Sequence, residues 1–408
     1  MSQPQPAAGL LTNRIRPYAW GSRTAIARLT GRTPTDSPEA ELWMGAHPAA
    51  PSRTDRGSGP EPLDAIIARD PAREIGGRVT ERFGPRLPFL LKILAAEHAL
   101  SVQVHPTTAQ AEAGFAAEQA AGVPLDAPHR IYKDPHHKPE MLCALDEFDA
   151  LCGFREPTAT AELLAALRLP VLDPWIHTLR TADPETAVRT VLTEALGGDR
   201  ARGTAAAVAL ATALEDAART GGPHARTYGA YAAAARDYPA DPGLVAALLL
   251  NHVQLRPGEA LYLDARVPHA YLHGTGVEVM ANSDNVLRCG LTPKHVDVEA
   301  LAAVVDFRPG TPAPVPATAG SGGELHYRTP AAEFALSRLD VSGSLVLDDD
   351  GPQILLCTEG GLTLRQGLRV QLELRQGDSA FLPAAGAPAE LTGTAGLYRV
   401  RVPGPTGH

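Results

Sequence analysis

Apolar positions along the chain change spacing three times, and each change predicts a different kind of element. Through 1–57, short apolar stretches such as Leu42-Trp43-Met44 stand between Pro, Gly and polar residues, which predicts short strands and turns. Helical spacing shows in parts of 61–83, at 63–68 and 74–83. The apolar run 87–95, with Pro88 near its start, predicts a buried strand, and 100–104 predicts another. Residues 107–121, rich in Ala and Glu, predict a helix; 123–139 predict a loop; 141–145 and 149–154 read as extended.

From 158 to 250 the pattern becomes Ala/Leu-rich with helical spacing. It is broken at Pro170, Pro174, Pro184, Gly197-Gly198, Gly221-Gly222 and Pro239, which predicts four or five helices packed as a separate module. Strand character returns at 253–289. The Pro/Ala/Gly/Ser-rich stretch 311–323 predicts a linker, and 325–402 predicts short strands joined by Gly turns. The expected divisions are therefore 1–155 and 251–310 for one β unit, 156–250 for an inserted helical domain, and 311–408 for a second β unit.

A weak repeat links the two β units. Pro257-Gly258-Glu259 and Gln376-Gly377-Asp378 both open a turn followed by a short apolar strand. Eleven positions beyond Gly258 stands His269; eleven beyond Gly377 stands Pro388. Both pieces resemble the second conserved hairpin of cupin barrels. The fold class expected is mainly β with an inserted α-helical module: two cupin-like jelly rolls, the second without a metal site.

Charge changes the picture in one respect. The net charge of −9 gives nucleic acid no bulk attraction, so an anionic ligand must be met by a local cluster. Of 37 Lys and Arg only Lys92, Lys133, Lys138 and Lys294 are lysine, and Lys138 and Lys294 fall in the segments that carry other chemistry. The longest apolar run, 244–250, is far short of a membrane span, and residues 1–20 carry no stretch of signal-peptide length. A soluble cytoplasmic protein is expected, a monomer or at most a dimer, with Cys143, Cys152, Cys289 and Cys357 as buried free thiols.

Three separated pieces read as parts of one metal site. Gln103 and His105 are two apart on an expected strand and leave the same face. Glu140 follows His137-Lys138-Pro139, and His269 follows Pro268 at a strand end. Two imidazoles, a carboxylate and an amide oxygen suffice for a divalent cation, and a metal with one carboxylate keeps positive charge. Residue spacing alone leaves the metal's identity open, and Glu140 reads equally well as an exposed turn. Other histidines (His47, His98, His129, His136, His273, His295) compete for any role.

Longer motifs decide more. Ser101-Val102-Gln103-Val104-His105-Pro106, His137-Lys138-Pro139-Glu140-Met141 and the run 267–295 closely resemble the type I mannose-6-phosphate isomerases. Pro17-Tyr18-Ala19-Trp20-Gly21, the stretch 41–48 and Ala150-Leu151-Cys152-Gly153-Phe154-Arg155 agree. The resemblance covers 1–155 and 251–300 well; the helical module and the C-terminal unit match in order and character. It implies a zinc-dependent aldose–ketose isomerase, one Zn2+ per chain, interconverting mannose 6-phosphate and fructose 6-phosphate through a cis-enediol(ate). Gln103, His105, Glu140 and His269 correspond to the zinc ligands and Arg288 to a catalytic arginine. Ser101, Lys138 and Lys294 match positions associated with the active site and the phosphate. Trp20, Glu41, Lys92, Tyr271 and Glu278 fall where the family lines its pocket.

The proton-transfer group stays open among Glu278, His137 and Lys138. Without the resemblance, Arg288 reads as half of a structural ion pair and Glu278 as its partner. Two other functions compete. A non-catalytic sensor of metal and sugar phosphate predicts loss of Arg288, Lys138 or Glu278. An iron dioxygenase wants two imidazoles and one carboxylate with open positions, which Gln103 and the lysines argue against. One departure lies beside the site: Thr107-Thr108-Ala109 follows Pro106, where many relatives carry an acidic–lysine pair.

Overall fold

The thirteen-residue strand His269–Ala281 is the spine of the N-terminal β unit. From Gly274 onward it pairs with Phe89–Ala96 on one side and Glu140–Ala144 on the other. Before Gly274 it pairs with Phe148–Phe154, and its first residue also faces Gln103. One strand therefore belongs to two sheets. Its bend falls at Gly274, whose φ of 122° and close approach to the Glu147 carbonyl (2.7 Å from a notional Cβ) exclude a side chain.

One sheet runs Arg14–Arg16, Glu41–Gly45, Phe89–Ala96, spine, Glu140–Ala144, Ala260–Leu263. The other runs Leu250–Leu255, Phe148–Phe154, spine, Val102–Val104, Leu287–Gly290. Their facing sides share an apolar layer that includes Leu94, Leu142, Ala150, Val253, Leu261 and Tyr271. Both outer sides are covered as well. Leu91, Ile93, Met141 and Val279 pack on Phe334, Leu356, Phe381 and Tyr398 of the C-terminal unit. Val104, Leu151, Leu272 and Leu287 pack on the helical module. This double cover explains why Phe89–Ala96 is buried at every position and reads as a continuous apolar run rather than an alternating strand.

This computed structural model describes residues 6–348, 351–368 and 370–404. The expected fold class holds: mainly β, with the helical insertion between Phe148–Phe154 and Leu250–Leu255. The insertion has more helices than the breakers suggested: Pro157–Ala166, Asp173–Thr181, Pro184–Gly197, Arg200–Thr220, Ala225–Asp237 and Gly243–Leu248. Pro174 and Pro184 start helices rather than ending them, since a first-turn proline lacks only an N–H that has no intrahelical partner. Gly243–Leu248 is buried at every residue, so its sequence carries no amphipathic period. A further helix, Val298–Val304, capped by Asp297, was not foreseen.

The C-terminal sheet runs Gly9–Leu10, Ser379–Leu382, Gln353–Gln366, Ala389–Arg401, Ala335–Leu347, Glu324–Tyr327, Ala317–Ala319, with Val370–Arg375 on Gln353–Gln366. Gly9–Leu10 thus lies in the C-terminal sheet although Arg14–Arg16 lies in the first. Ala317–Ala319, inside the expected linker, adds a strand because Glu324–Tyr327 offers it a free edge. All four cysteines are buried and free, and no helix among the described residues is long and apolar enough to cross a membrane.

Candidate metal centre

Register places the site. Gln103 stands opposite His269 on one side and Arg288 on the other, and directly opposite residues share a face. Gln103, His269 and Arg288 therefore all point between the two sheets. Glu140 stands opposite Met280, and Glu278, two back along the spine, stands opposite Lys92. Lys92 in turn stands opposite Trp43. Strand pairing alone thus puts six of the expected site residues, with Trp43, on one lining.

His105, Glu140 and His269 form the one His/Cys/Asp/Glu cluster of metal-ligand spacing among the described residues, each buried, with ligand atoms all within 4.8 Å of one another. Glu140 lies between the imidazoles: Oε1 is 3.4 Å from His105 Nε2 and Oε2 is 3.4 Å from His269 Nε2. The other ring nitrogens are already used. His105 Nδ1 donates to the Asn285 carbonyl at 2.7 Å, and His269 Nδ1 donates to the Val267 carbonyl at 2.9 Å. A ring that carries its proton on Nδ1 aims an Nε2 lone pair at the carboxylate, and both Nε2 atoms are buried without a hydrogen bond. Burial pushes the His105 pKa down to about 4, so that ring is neutral near pH 7. Glu140 stays charged: burial opposes this, but the Lys138 ammonium holds its pKa well below the usual carboxylate range. Converging lone pairs that lack a proton repel one another, and a divalent cation relieves this. Neutral imidazole, carboxylate and the amide of Gln103 suit zinc.

The rest of the lining is a chain of charges. Lys138 Nζ lies 3.2 Å from Glu140 Oε1. Lys92 Nζ lies 2.8 Å from Glu278 Oε2 and 3.3 Å from Glu41 Oε1, and Trp43 Nε1 donates to Glu41 Oε2 at 2.7 Å. Burial would discharge Lys92, but Glu278, Glu41 and Glu140 override it and hold its pKa above the ordinary lysine range. Burial raises the Glu278 pKa, with Glu140 and Glu41 adding to the rise against Lys92. Burial, Glu278 and Glu140 raise Tyr271, whose buried hydroxyl makes no hydrogen bond of good geometry. Trp20 is half-buried and stacks on Tyr18 at 5.7 Å.

Arg288 answers one of the structural readings. It is half-buried, and among the described residues no hydrogen bond or ion pair holds it; burial lowers its pKa with no carboxylate opposing. It is not half of an ion pair, and Glu278 belongs to Lys92 instead. Lys294 is exposed and its pKa is lowered, by burial first and then by Arg288. Ser101, half-buried, precedes Val102–Val104. Two cations held near each other without an anion make a place for one.

His137 is the expected site residue that the structure turns elsewhere. Lys138 and Glu140 alternate inward, so His137 leaves the opposite side, and its Nε2 sits 2.8 Å from Glu333 Oε1 of the C-terminal unit. It forms half of a latch between units. The hydrogen bond to Glu333 raises the His137 pKa against burial, and His137 lowers Glu333 although burial works the other way. The histidine's contribution to stability is complete below its ordinary 6.5 and fades as pH rises through the raised value. The carboxylate's is complete above its ordinary 4.5 and fades as pH falls through the lowered value. Melting temperatures of wild type and Glu333→Gln are therefore expected to differ most, by about 2–4 °C, in the window between those ordinary values and to converge towards about pH 9. A difference that ignored pH would mean the pair carries no charge.

Sequence reasoning assigned no role to Trp43, Asp134, Ser283 or Asn285. Trp43 was legible only as apolar. The polar run 282–285 straight after the spine was a usable signal, because so many hydrogen-bonding groups after a buried strand need partners. At the expected departure, Thr107 caps helix Thr108–Ala120 in a capping box with Gln110, which gives that residue a local structural task.

Residues 10–157 match the family model described as phosphomannose isomerase type I, catalytic domain, and residues 324–402 match the mannose-6-phosphate isomerase cupin domain. The chain is 42% identical over 400 residues to the mannose-6-phosphate isomerase of Escherichia coli (strain K12), covering 96% of this chain and 98% of that protein. It is 32% identical over 404 residues to the Rattus norvegicus mannose-6-phosphate isomerase, covering 91% and 92%. A single-residue mutant of phosphomannose isomerase from Salmonella typhimurium superposes with a TM-score of 0.88 at 39% identity, covering 97% of this chain and all of that one. A holo, zinc-bound mannose 6-phosphate isomerase superposes at 0.86 with 39% identity and 97% coverage of this chain.

Proposed function

The chain belongs to the type I mannose-6-phosphate isomerases, and from that premise we propose that the site built on His105, Glu140 and His269 interconverts mannose 6-phosphate and fructose 6-phosphate. The observation that carries this reading is the pair of buried, partnerless Nε2 atoms aimed at Glu140, with an unpaired arginine on the same lining. Gln103, His105, Glu140 and His269 would hold zinc. When bound, zinc supplies Lewis-acid stabilisation of the negative charge that develops as the sugar isomerises.

The protein's own groups do the rest. Isomerisation moves a proton between C1 and C2 through a cis-enediol(ate). Glu278 is the reading favoured for that transfer. It is a buried carboxyl whose pKa burial raises, which favours its holding a proton taken from the sugar before returning it. Lys92, 2.8 Å away, holds it in place and stabilises its charged form. Arg288 contributes fixed positive charge beside the reacting oxygens. Lys294 and Ser101 receive the phosphate. Lys138 keeps Glu140 charged, and Trp20, Glu41 and Tyr271 shape the wall. The partner is a small sugar phosphate; a cytoplasmic location and a monomeric or dimeric state belong to the same reading, and four free thiols agree with a reducing compartment. A sensor without activity would have no use for a Glu278 tuned upward.

A coupled assay on purified protein tests this. Turnover of mannose 6-phosphate is expected, to disappear on chelation and to return with zinc. A zinc-loaded protein that did not turn over the sugar would overturn the reading.

A further inference from the structure

Asn285 is completely buried just beyond the spine and uses every polar group it has. Its carbonyl accepts the His105 Nδ1 proton at 2.7 Å. Its side-chain oxygen accepts from the backbone N–H of Lys133 at 2.7 Å and of Asp134 at 3.2 Å. Its amide nitrogen donates to the carbonyls of Asp134 at 2.7 Å and His136 at 2.8 Å. Buried Ser283 assists: its hydroxyl donates to Asp134 Oδ1 at 2.8 Å. The Asp284 N–H donates to Asp134 Oδ2 at 2.9 Å.

These bonds join two parts of the metal site that share no strand pairing. Residues 133–136 run into Lys138 and Glu140, the lysine and the carboxylate of the site, while His105 comes from beyond Val102–Val104. We infer that Asn285 is a positioning residue that sets the distance between His105 and Glu140, and so tunes metal affinity and the placement of Lys138. The loop 133–138 carries no regular secondary structure, so its shape is decided by these side-chain bonds rather than by a ladder. The Asn285 carbonyl fixes the His105 tautomer; the Asn285 side chain fixes where the carboxylate meets it. A rigid bridge through one residue makes the two ligands move together. Groups that orient metal ligands from behind typically change metal affinity by about 10–100-fold when removed.

The inference rests on His105 and Glu140 holding the metal, and the experiment separates the two claims. Zinc affinity is measured by competition with a chromophoric chelator for wild type, His105→Ala, Asn285→Ala and Asn285→Asp, with urea melts of each zinc-free protein. Gln366→Ala serves as a control: Gln366 is a buried clamp of the same kind in the C-terminal unit, bonded to Ala8 N–H and the Ala387 carbonyl. Asn285→Ala is expected to weaken zinc about 10–100-fold and, at saturating zinc, to raise KM for mannose 6-phosphate more than it lowers kcat. Asn285→Asp keeps the two accepted bonds and loses the two donated ones, so it should fall between. Gln366→Ala should lose stability and keep zinc affinity. If Asn285→Ala does not fold, Ser283→Ala gives the same pattern at smaller size. Zinc affinity and KM within twofold of wild type in the Asn285 variants, or an equal zinc loss in Gln366→Ala, would overturn the inference. Retention of zinc by His105→Ala would instead overturn the ligand assignment.

Discussion

Replacing Glu140 by glutamine is expected to abolish tight zinc binding and to lower turnover at micromolar zinc by about 10³-fold or more, which corresponds to about 4 kcal/mol of lost transition-state stabilisation. Glutamine keeps the volume and one oxygen but removes the only negative charge in the ligand set. The site depends on that charge. Both imidazoles are neutral when they bind metal, and His105, pushed down to about 4, is neutral already at pH 7. Lys138, 3.2 Å from Glu140, would be left facing a neutral amide and would repel the cation that Glu140 attracts. Metal content of the purified variant and a coupled assay across zinc concentrations check both halves. Stoichiometric zinc with near-normal turnover would show that Glu140 is no ligand.

Removing Arg288 should separate what Glu140→Gln couples. Arg288→Ala is expected to retain zinc and to lose about 10²–10³-fold in kcat, the usual size of effect for a preorganised group that meets developing charge. No ion pair holds Arg288, so its removal leaves no buried carboxylate uncompensated, and the melting temperature should barely move. Arg288→Lys should recover part of the loss, since a point charge replaces the charge but not the planar fork. Turnover within threefold of wild type in Arg288→Ala would remove it from the chemistry.

Much of this site was legible because its residues sit on strands. A two-residue spacing such as Gln103 to His105, or Lys138 to Glu140, fixes a shared face wherever the backbone is extended. Proline before His269 marked a strand end. The same alternation should have counted against His137, since a neighbour of Lys138 in an extended segment points the other way. The resemblance to a family placed Glu278 and Lys92 in one pocket without saying that they pair. Their pairing follows from the register between Phe89–Ala96 and the spine, and register is a long-range fact.

By itself the sequence determined the family, the mainly β class and the order of β and helical parts, and it singled out His105, Glu140 and His269, which the structure brings together, because alternation, helical spacing and motif all act over a few residues. It left the number of helices low, since Gly243–Leu248 is buried all round and shows no period. It could not show that Gly9–Leu10 crosses to the C-terminal sheet, that Glu333 pairs with His137, or that Asn285 ties residues 133–136 to His105. Each of these is a contact between residues from 149 to 372 positions apart, between groups whose local sequence is compatible with several partners. Only the packing of the three units against one another decides which partner is within reach, and a hydrogen bond or an ion pair exists only within that reach.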